Sequence, residues 1–279
     1  MPDKIIHKEL SFKVTGCLFD VHNEVGPGVR EECYQKAIEL RLAIAGIPFV
    51  AKPATRRELI YRDQVADVFE PDLLVAEQMI LELKHLPDGF AQANFTQLLS
   101  YLKFWNWQLG LLVNMAMDHC HVKRLPFTPA IVNPEEDYSF IESVICSEDR
   151  PLLRTIRESL LEIHRSIGLG YADTTYRSLL GIELGHRGCN YHWQPEVLPT
   201  FRERQLPFSR ISPFVVDHRV CVQVEAIYDE VSARAVRTMQ THLQLTGCRI
   251  GFIVVFGKSR FLIRGVRRKE PNELKRPNE

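Results

Sequence analysis

The chain says the same thing twice, and that repeat limits its possible folds more than its composition does. His22-Asn23-Glu24-Val25-Gly26-Pro27-Gly28-Val29-Arg30-Glu31-Glu32-Cys33-Tyr34 is echoed by His164-Arg165-Ser166-Ile167-Gly168-Leu169-Gly170-Tyr171-Ala172-Asp173-Thr174-Thr175-Tyr176 at a constant offset of 142. Pro53 and Pro195 keep that offset, and after one deleted residue an offset of 141 relates Leu102 to Leu243 and Gly110 to Gly251. A duplication on this scale means two copies of one domain, and 279 residues suffice for two cores. The expected boundaries are 1–133 and 134–279. Thr128–Asp137, with its prolines and acids, is expected as a surface linker.

Hydrophobic periodicity gives the elements of one copy. Val14, Cys17, Leu18, Val21 and Val25 recur at helical spacing, so a helix is expected from about Leu10 to Glu24, stopped by Gly26-Pro27-Gly28. A second helix is expected from about Val29 to Ala45, with Glu31 in its first turn and Gly46 ending it. Strand signals follow at Phe49–Ala51, Arg57–Tyr61, Val65–Phe69 and in the hairpin pattern Pro71–Lys84. Helical spacing returns from about Ala91 to Phe104, placing Gln97 and Tyr101 on one face, before the buried-strand pattern Leu109-Gly110-Leu111-Leu112-Val113. The fold class expected is α/β (α+β): two tandem domains, each a mixed sheet flanked by helices.

Within the hairpin, a turn centred on Glu77 sets Asp72 opposite Glu82, and period-two alternation puts Lys84 on the face of Glu82. Side-chain roots opposed in this way lie roughly 4.5 to 5.5 Å apart, close enough for two carboxylates to share a divalent ion. The chain carries 35 basic and 35 acidic residues, so any surface that attracts a polyanion must be local. Seven scattered cysteines fit reduced thiols better than a disulfide framework, and a polar start with interrupted apolar runs argues against secretion or membrane spanning. A cytoplasmic protein is expected.

Taken together, Gly28-Val29-Arg30-Glu31-Glu32-Cys33-Tyr34, Pro71-Asp72, Glu82-Leu83-Lys84 and the helix Gln97-Leu98-Leu99-Ser100-Tyr101-Leu102 resemble the GxxExxY family of the PD-(D/E)XK nuclease superfamily. The resemblance covers nearly the whole chain as two tandem restriction-endonuclease-like copies. It implies Asp72 and Glu82 as metal ligands, Lys84 as the group that orients or polarises the attacking water, Glu31 as an assistant at the metal, and Gln97 completing the site. Hard oxygen donors favour Mg²⁺ or Mn²⁺ over zinc, and the implied partner is nucleic acid, DNA foremost. Two departures stand out: Asn94 where the family often has histidine, and Met115-Ala116-Met117-Asp118 in place of a polar-glycine strand end, which the second copy keeps as Val255-Phe256-Gly257-Lys258.

At the offset of 141, Asp72 maps to Pro213, Glu82 to Gln223, Lys84 to Glu225 and Gln97 to Thr238, while Glu31 maps to Asp173 at 142. The second copy is therefore expected to be degenerate, serving as a partner that completes a groove or an intramolecular pseudodimer. A non-catalytic nucleic-acid-binding or protein-interaction module of the same fold is the alternative for the whole chain. Blander roles are expected elsewhere: packing for Tyr34, Tyr176, Trp105 and Trp107, capping or packing for His22 and His164, a turn for Asp118-His119-Cys120-His121, and a solvated basic tail from Arg264 to Lys275.

Overall fold

A computed structural model describes residues 5–269, so the end of the basic tail, with Glu270 and Glu273, lies outside the described residues. The chain divides into two compact units: residues through Ile60 with Asp67–Pro129, and Tyr61–Ala66 with the residues from Ala130 on.

The first unit contains α1 (Lys8–Val25), α2 (Glu31–Ile44), β1 (Phe49–Ala51), β2 (Arg57–Tyr61) except Tyr61, the end of β3 (Gln64–Phe69) from Asp67 on, β4 (Leu73–Val75), β5 (Met79–Lys84), α3 (Gln92–Trp105), β6 (Leu109–Asn114) and β7 (His121–Pro126). Its sheet runs β1-β4-β5-β6-β7, antiparallel except for the parallel pair β5 and β6. β2 and β3 were expected to join it; they pair only with each other, among the described residues. Alternation sorts the faces. Leu73, Leu81, Leu83, Leu111 and Val113 pack with Val14, Leu18, Tyr34 and Ile38 of α1 and α2. The intervening positions face α3, which comes so close to β6 that a Cβ on Gly110 would sit 2.7 Å from Leu98 Cδ1. Glycine is required there by proximity.

The second unit contains β8 (Pro134–Asp137), α4 (Arg150–Ile167), α5 (Asp173–His186), β9 (Tyr191–Trp193), β10 (Glu196–Val197), β11 (Thr200–Phe201), β12 (Arg204–Gln205), β13 (Ser209–Arg210), β14 (Phe214–Val216), β15 (Val220–Ile227), α6 (Ala233–Thr246), β16 (Ile250–Gly257) and β17 (Phe261–Arg267). Its sheet runs β8-β17-β16-β15-β14-β9. The segment Pro134–Asp137, expected within the linker, is an edge strand parallel to β17, because Glu135 and Glu136 find Arg260 and Arg157.

The duplication holds in the helices and the central strands, while the second sheet gains the edge strand β8. α4 and α5 repeat α1 and α2 at 142, and α6 repeats α3 at 141. Leu73 pairs with Leu81 in one unit and Phe214 with Val222 in the other; Glu82 lies beside Leu112, and Gln223 beside Ile253. Even the tight glycine recurs, since a Cβ on Gly251 would meet Met239 Sδ at 2.7 Å.

Candidate functional site

The turn after β4 places Ala76 and Glu77 at positive φ, and Gln78 N–H donates to Val75 O, closing the hairpin tightly. This fixes the register that carries Asp72, just before β4, toward Glu82 of β5. The backbone N–H of Leu83 donates to Asp72 Oδ2 at 2.7 Å, and that of Asp72 to Glu82 Oε2 at 3.4 Å. Both carboxylates are only 3% exposed. Lys84 donates to Glu82 Oε1 at 2.7 Å, as alternation along β5 allows. These three residues therefore meet.

The other two expected residues stand farther off. Gln97 donates to Tyr101 Oη at 2.8 Å, and the tyrosine, one turn along α3, feels the charges of Glu82 and Asp72. Burial and those carboxylates push the Tyr101 phenol well above its ordinary range, so it stays a neutral hydroxyl. Glu31, the first residue of α2, makes no direct hydrogen bond with Asp72 or Glu82, but its field reaches Lys52.

Lys52 is the residue that sequence reasoning missed. Its Nζ lies 2.5 Å from Asp72 Oδ1, and its backbone N–H donates to Asp72 O at 3.1 Å. Burial presses its pKa down, yet the hydrogen bond and charge of Asp72, with Glu31 and Glu82 beyond, hold it above the ordinary lysine value. A signal existed: Lys52 follows β1, the strand antiparallel to β4, and at the offset of 142 it becomes Gln194 when Asp72, Glu82 and Lys84 also change.

Two buried carboxylates side by side repel each other. Burial, and then the neighbouring Asp72, raise Glu82 to about 7, against the pull of Lys84. Among the described residues no three His, Cys, Asp or Glu side chains gather as a metal cluster, so the carboxylate donors here are this pair. That set fits a small hard cation, because Mg²⁺ is ordinarily held by one or two carboxylates and keeps several of its waters. It does not suit zinc, which prefers nitrogen and sulfur.

Tyr34 links the glycine-rich turn to this strand. Its buried ring stacks near His85, the neighbour of Lys84, and its hydroxyl donates to Gly26 O at 2.6 Å. Tyr176 repeats that bond to Gly168 O at 2.7 Å in the unit without the charged group, which makes it a packing and turn-closing device. In that unit Gln223 accepts from Ser212 Oγ at 2.9 Å, Asp173 is paired with Arg177, and burial raises the pKa of Glu225. His22 reaches Met117 O at 2.9 Å and His164 stacks on Phe261, both structural roles.

Residues 8–125 and 150–269 each match the family model of the PD-(D/E)XK nuclease superfamily. No curated protein matches the chain. A solved structure described as the crystal structure of SSO0001 aligns at 10% identity and a TM-score of 0.30, over 45% of this chain and 63% of that one. The chain thus spans less than two thirds of that protein, and so slight a likeness bears no weight. No helix among the described residues is long and apolar enough to cross a membrane.

Proposed function

Because this chain belongs to the PD-(D/E)XK nuclease superfamily, we propose that its first copy hydrolyses phosphodiester bonds of nucleic acid, DNA foremost, with Mg²⁺ or Mn²⁺ at Asp72 and Glu82. The observation that carries this reading is the buried Asp72–Glu82 pair set between two ammonium groups, with oxygens 2.5 and 2.7 Å from Lys52 and Lys84. A buried pair of like charges destabilises a fold, and such perturbed groups concentrate where chemistry is done.

A divalent ion there supplies charge stabilisation at the phosphate and an activated water. Asp72 and Glu82 offer oxygens to hold it, and the Leu83 N–H fixes the orientation of Asp72. Lys84, once its hold on Glu82 loosens, is a movable cationic donor for the water or a phosphate oxygen. Gln97 and Tyr101 present neutral hydrogen-bonding groups from α3, and Glu31 steadies Lys52 electrostatically. The finer reading places the chain in the GxxExxY family, with an intact domain over 1–133 and a degenerate pseudonuclease over 134–279 that partners it. Seven free cysteines support a reducing, cytoplasmic setting.

The test is cleavage of plasmid, linear duplex and single-stranded DNA, and of RNA, with Mg²⁺ or Mn²⁺. Asp72→Ala and Lys84→Ala should each lose about a hundredfold or more while keeping the far-ultraviolet circular dichroism of the parent. Cleavage unchanged in both variants rejects the assignment. A parent that binds every substrate and cleaves none makes the chain a binding module.

A further inference from the structure

We propose that the second unit carries its own phosphate-recognition pocket, built for a nucleotide unit, on the N-terminal half of α4. A cavity of about 400 Å³ opens beside Arg150, Arg154 and Arg157, with Ile141, Leu153 and the half-exposed Tyr138 on its apolar side. Spacings of four and three residues put the three guanidinium groups on one face of the helix.

Their electrostatic setting points to an anion. The first turn of α4 holds no acidic residue, and the carboxylate of its N-cap residue Asp149 is taken up by Arg219 and Arg249 at 2.6 and 2.8 Å, so it does not neutralise the arginines along the helix. Arg157 is occupied: Nε and Nη2 grip Glu136 at 2.5 and 2.6 Å, and Tyr138 also donates to that carboxylate. Arg150 and Arg154, both exposed, have no hydrogen-bond or ion-pair partner among the described residues. Two free forks above an apolar recess match a phosphate attached to a flat, largely apolar body, since guanidinium binds phosphate in bidentate fashion and the tyrosine ring can stack on a base. Glu142 on the rim offers an acceptor for a sugar hydroxyl or base amino group.

Duplication sharpens the case. At the same positions α1 carries Lys8, Phe12 and Thr15, so the row of arginines belongs to the second copy alone. The copy without the acidic pair has a binding feature that the other lacks.

The pocket's ligand is a nucleoside monophosphate, free or as the phosphorylated end of a strand, and the two sources are separable. Binding would be measured by fluorescence anisotropy on the full chain carrying Asp72→Ala, in EDTA, so that the first-unit site is silent and the result is independent of the nuclease reading. The probes are a labelled 5′-phosphorylated single-stranded oligonucleotide and its unphosphorylated twin, with adenosine monophosphate and inorganic phosphate as competitors. Removal of the 5′-phosphate should weaken binding about tenfold, the loss of a charge-assisted contact. Arg150→Ala with Arg154→Ala should weaken the phosphorylated probe by at least about as much and erase the difference between the probes. Competition by the free monophosphate identifies a mononucleotide site; competition by neither small molecule identifies a strand end. Equal affinity for both oligonucleotides, or a phosphate preference that survives the double substitution in a folded protein, overturns the proposal. Loss of cleavage in Lys84→Ala tests the other site and leaves this result untouched.

Discussion

β5 and β15 occupy the same place in their sheets, in the same register, yet one ends in a buried acidic pair with two lysines and the other does not. Met79-Ile80-Leu81-Glu82-Leu83-Lys84 and Val220-Cys221-Val222-Gln223-Val224-Glu225 share their alternation and differ in charge. What builds the sheet is the apolar half of that pattern, packed on the first two helices of each copy. The half facing the third helix is free to change, provided that each buried polar group finds a partner. Gln223 satisfies this with a neutral hydrogen bond to Ser212, whereas Glu82 must share its surroundings with Asp72. The difference teaches that the fold tolerates the site without needing it.

The most direct way to break this comparison is at its ammonium groups. Lys84→Ala should abolish most cleavage, whereas Glu225→Ala in the second unit should leave the rate within about twofold, as measured on one plasmid substrate. Comparable losses from both would mean that the second copy takes part in the chemistry.

Stability should follow the acidic pair next. Glu82 titrates in the folded protein at about 7, above its ordinary 4.5, so between these values the native state holds more proton than the unfolded chain. The stability associated with this group is then greatest below pH of about 4.5 and is lost as pH rises through about 7, on the order of 3 kcal/mol in metal-free buffer. Urea unfolding at several pH values should show that decline in the parent and a flatter profile in Glu82→Gln. Gln223→Glu should introduce a similar decline in the second unit.

A smaller contrast concerns the glycines under the third helices. Gly110→Ala forces a Cβ against the branch point of Leu98, at 2.8 Å from Cγ, while in Gly251→Ala the closest atom is the flexible Sδ of Met239. Overpacking costs about 1 to 3 kcal/mol, and the leucine site should lie at the upper end. Denaturant midpoints would check the order.

Lys52 gives the finest distinction. Lys52→Met removes a cation that competes for Asp72, so Mg²⁺ should bind about fivefold more tightly by calorimetry. Gln194→Lys in the second copy should change nothing in that titration.

Much of this was legible in the residues. The repeat gave two domains and the helices to within two residues, because hydrophobic periodicity is a local property that each segment carries with it. The pairing of Asp72 with Glu82 was legible for the same reason, since a tight turn at Ala76-Glu77 leaves one register for the strands it joins. Lys52 was not, because its meeting with Asp72 depends on pairing between β1 and β4 across more than twenty residues that include a whole hairpin. The two strands of that hairpin and the turn at Arg62-Asp63 were legible, but nothing local says that β2 and β3 will leave the main sheet.

The sequence by itself determined the duplication, the order of elements and which copy retains the acidic pair and its lysine, all of which follow from residue identity and short-range spacing. Only the tertiary structure decided that Lys52 joins the pair, that Gln97 bonds to Tyr101, that Pro134–Asp137 is a strand, and that Arg150 and Arg154 stand unpartnered beside a recess. The physical reason is that partners distant in the chain are chosen by the packing of whole elements, and the energy of a buried charge depends on every group that packing brings beside it.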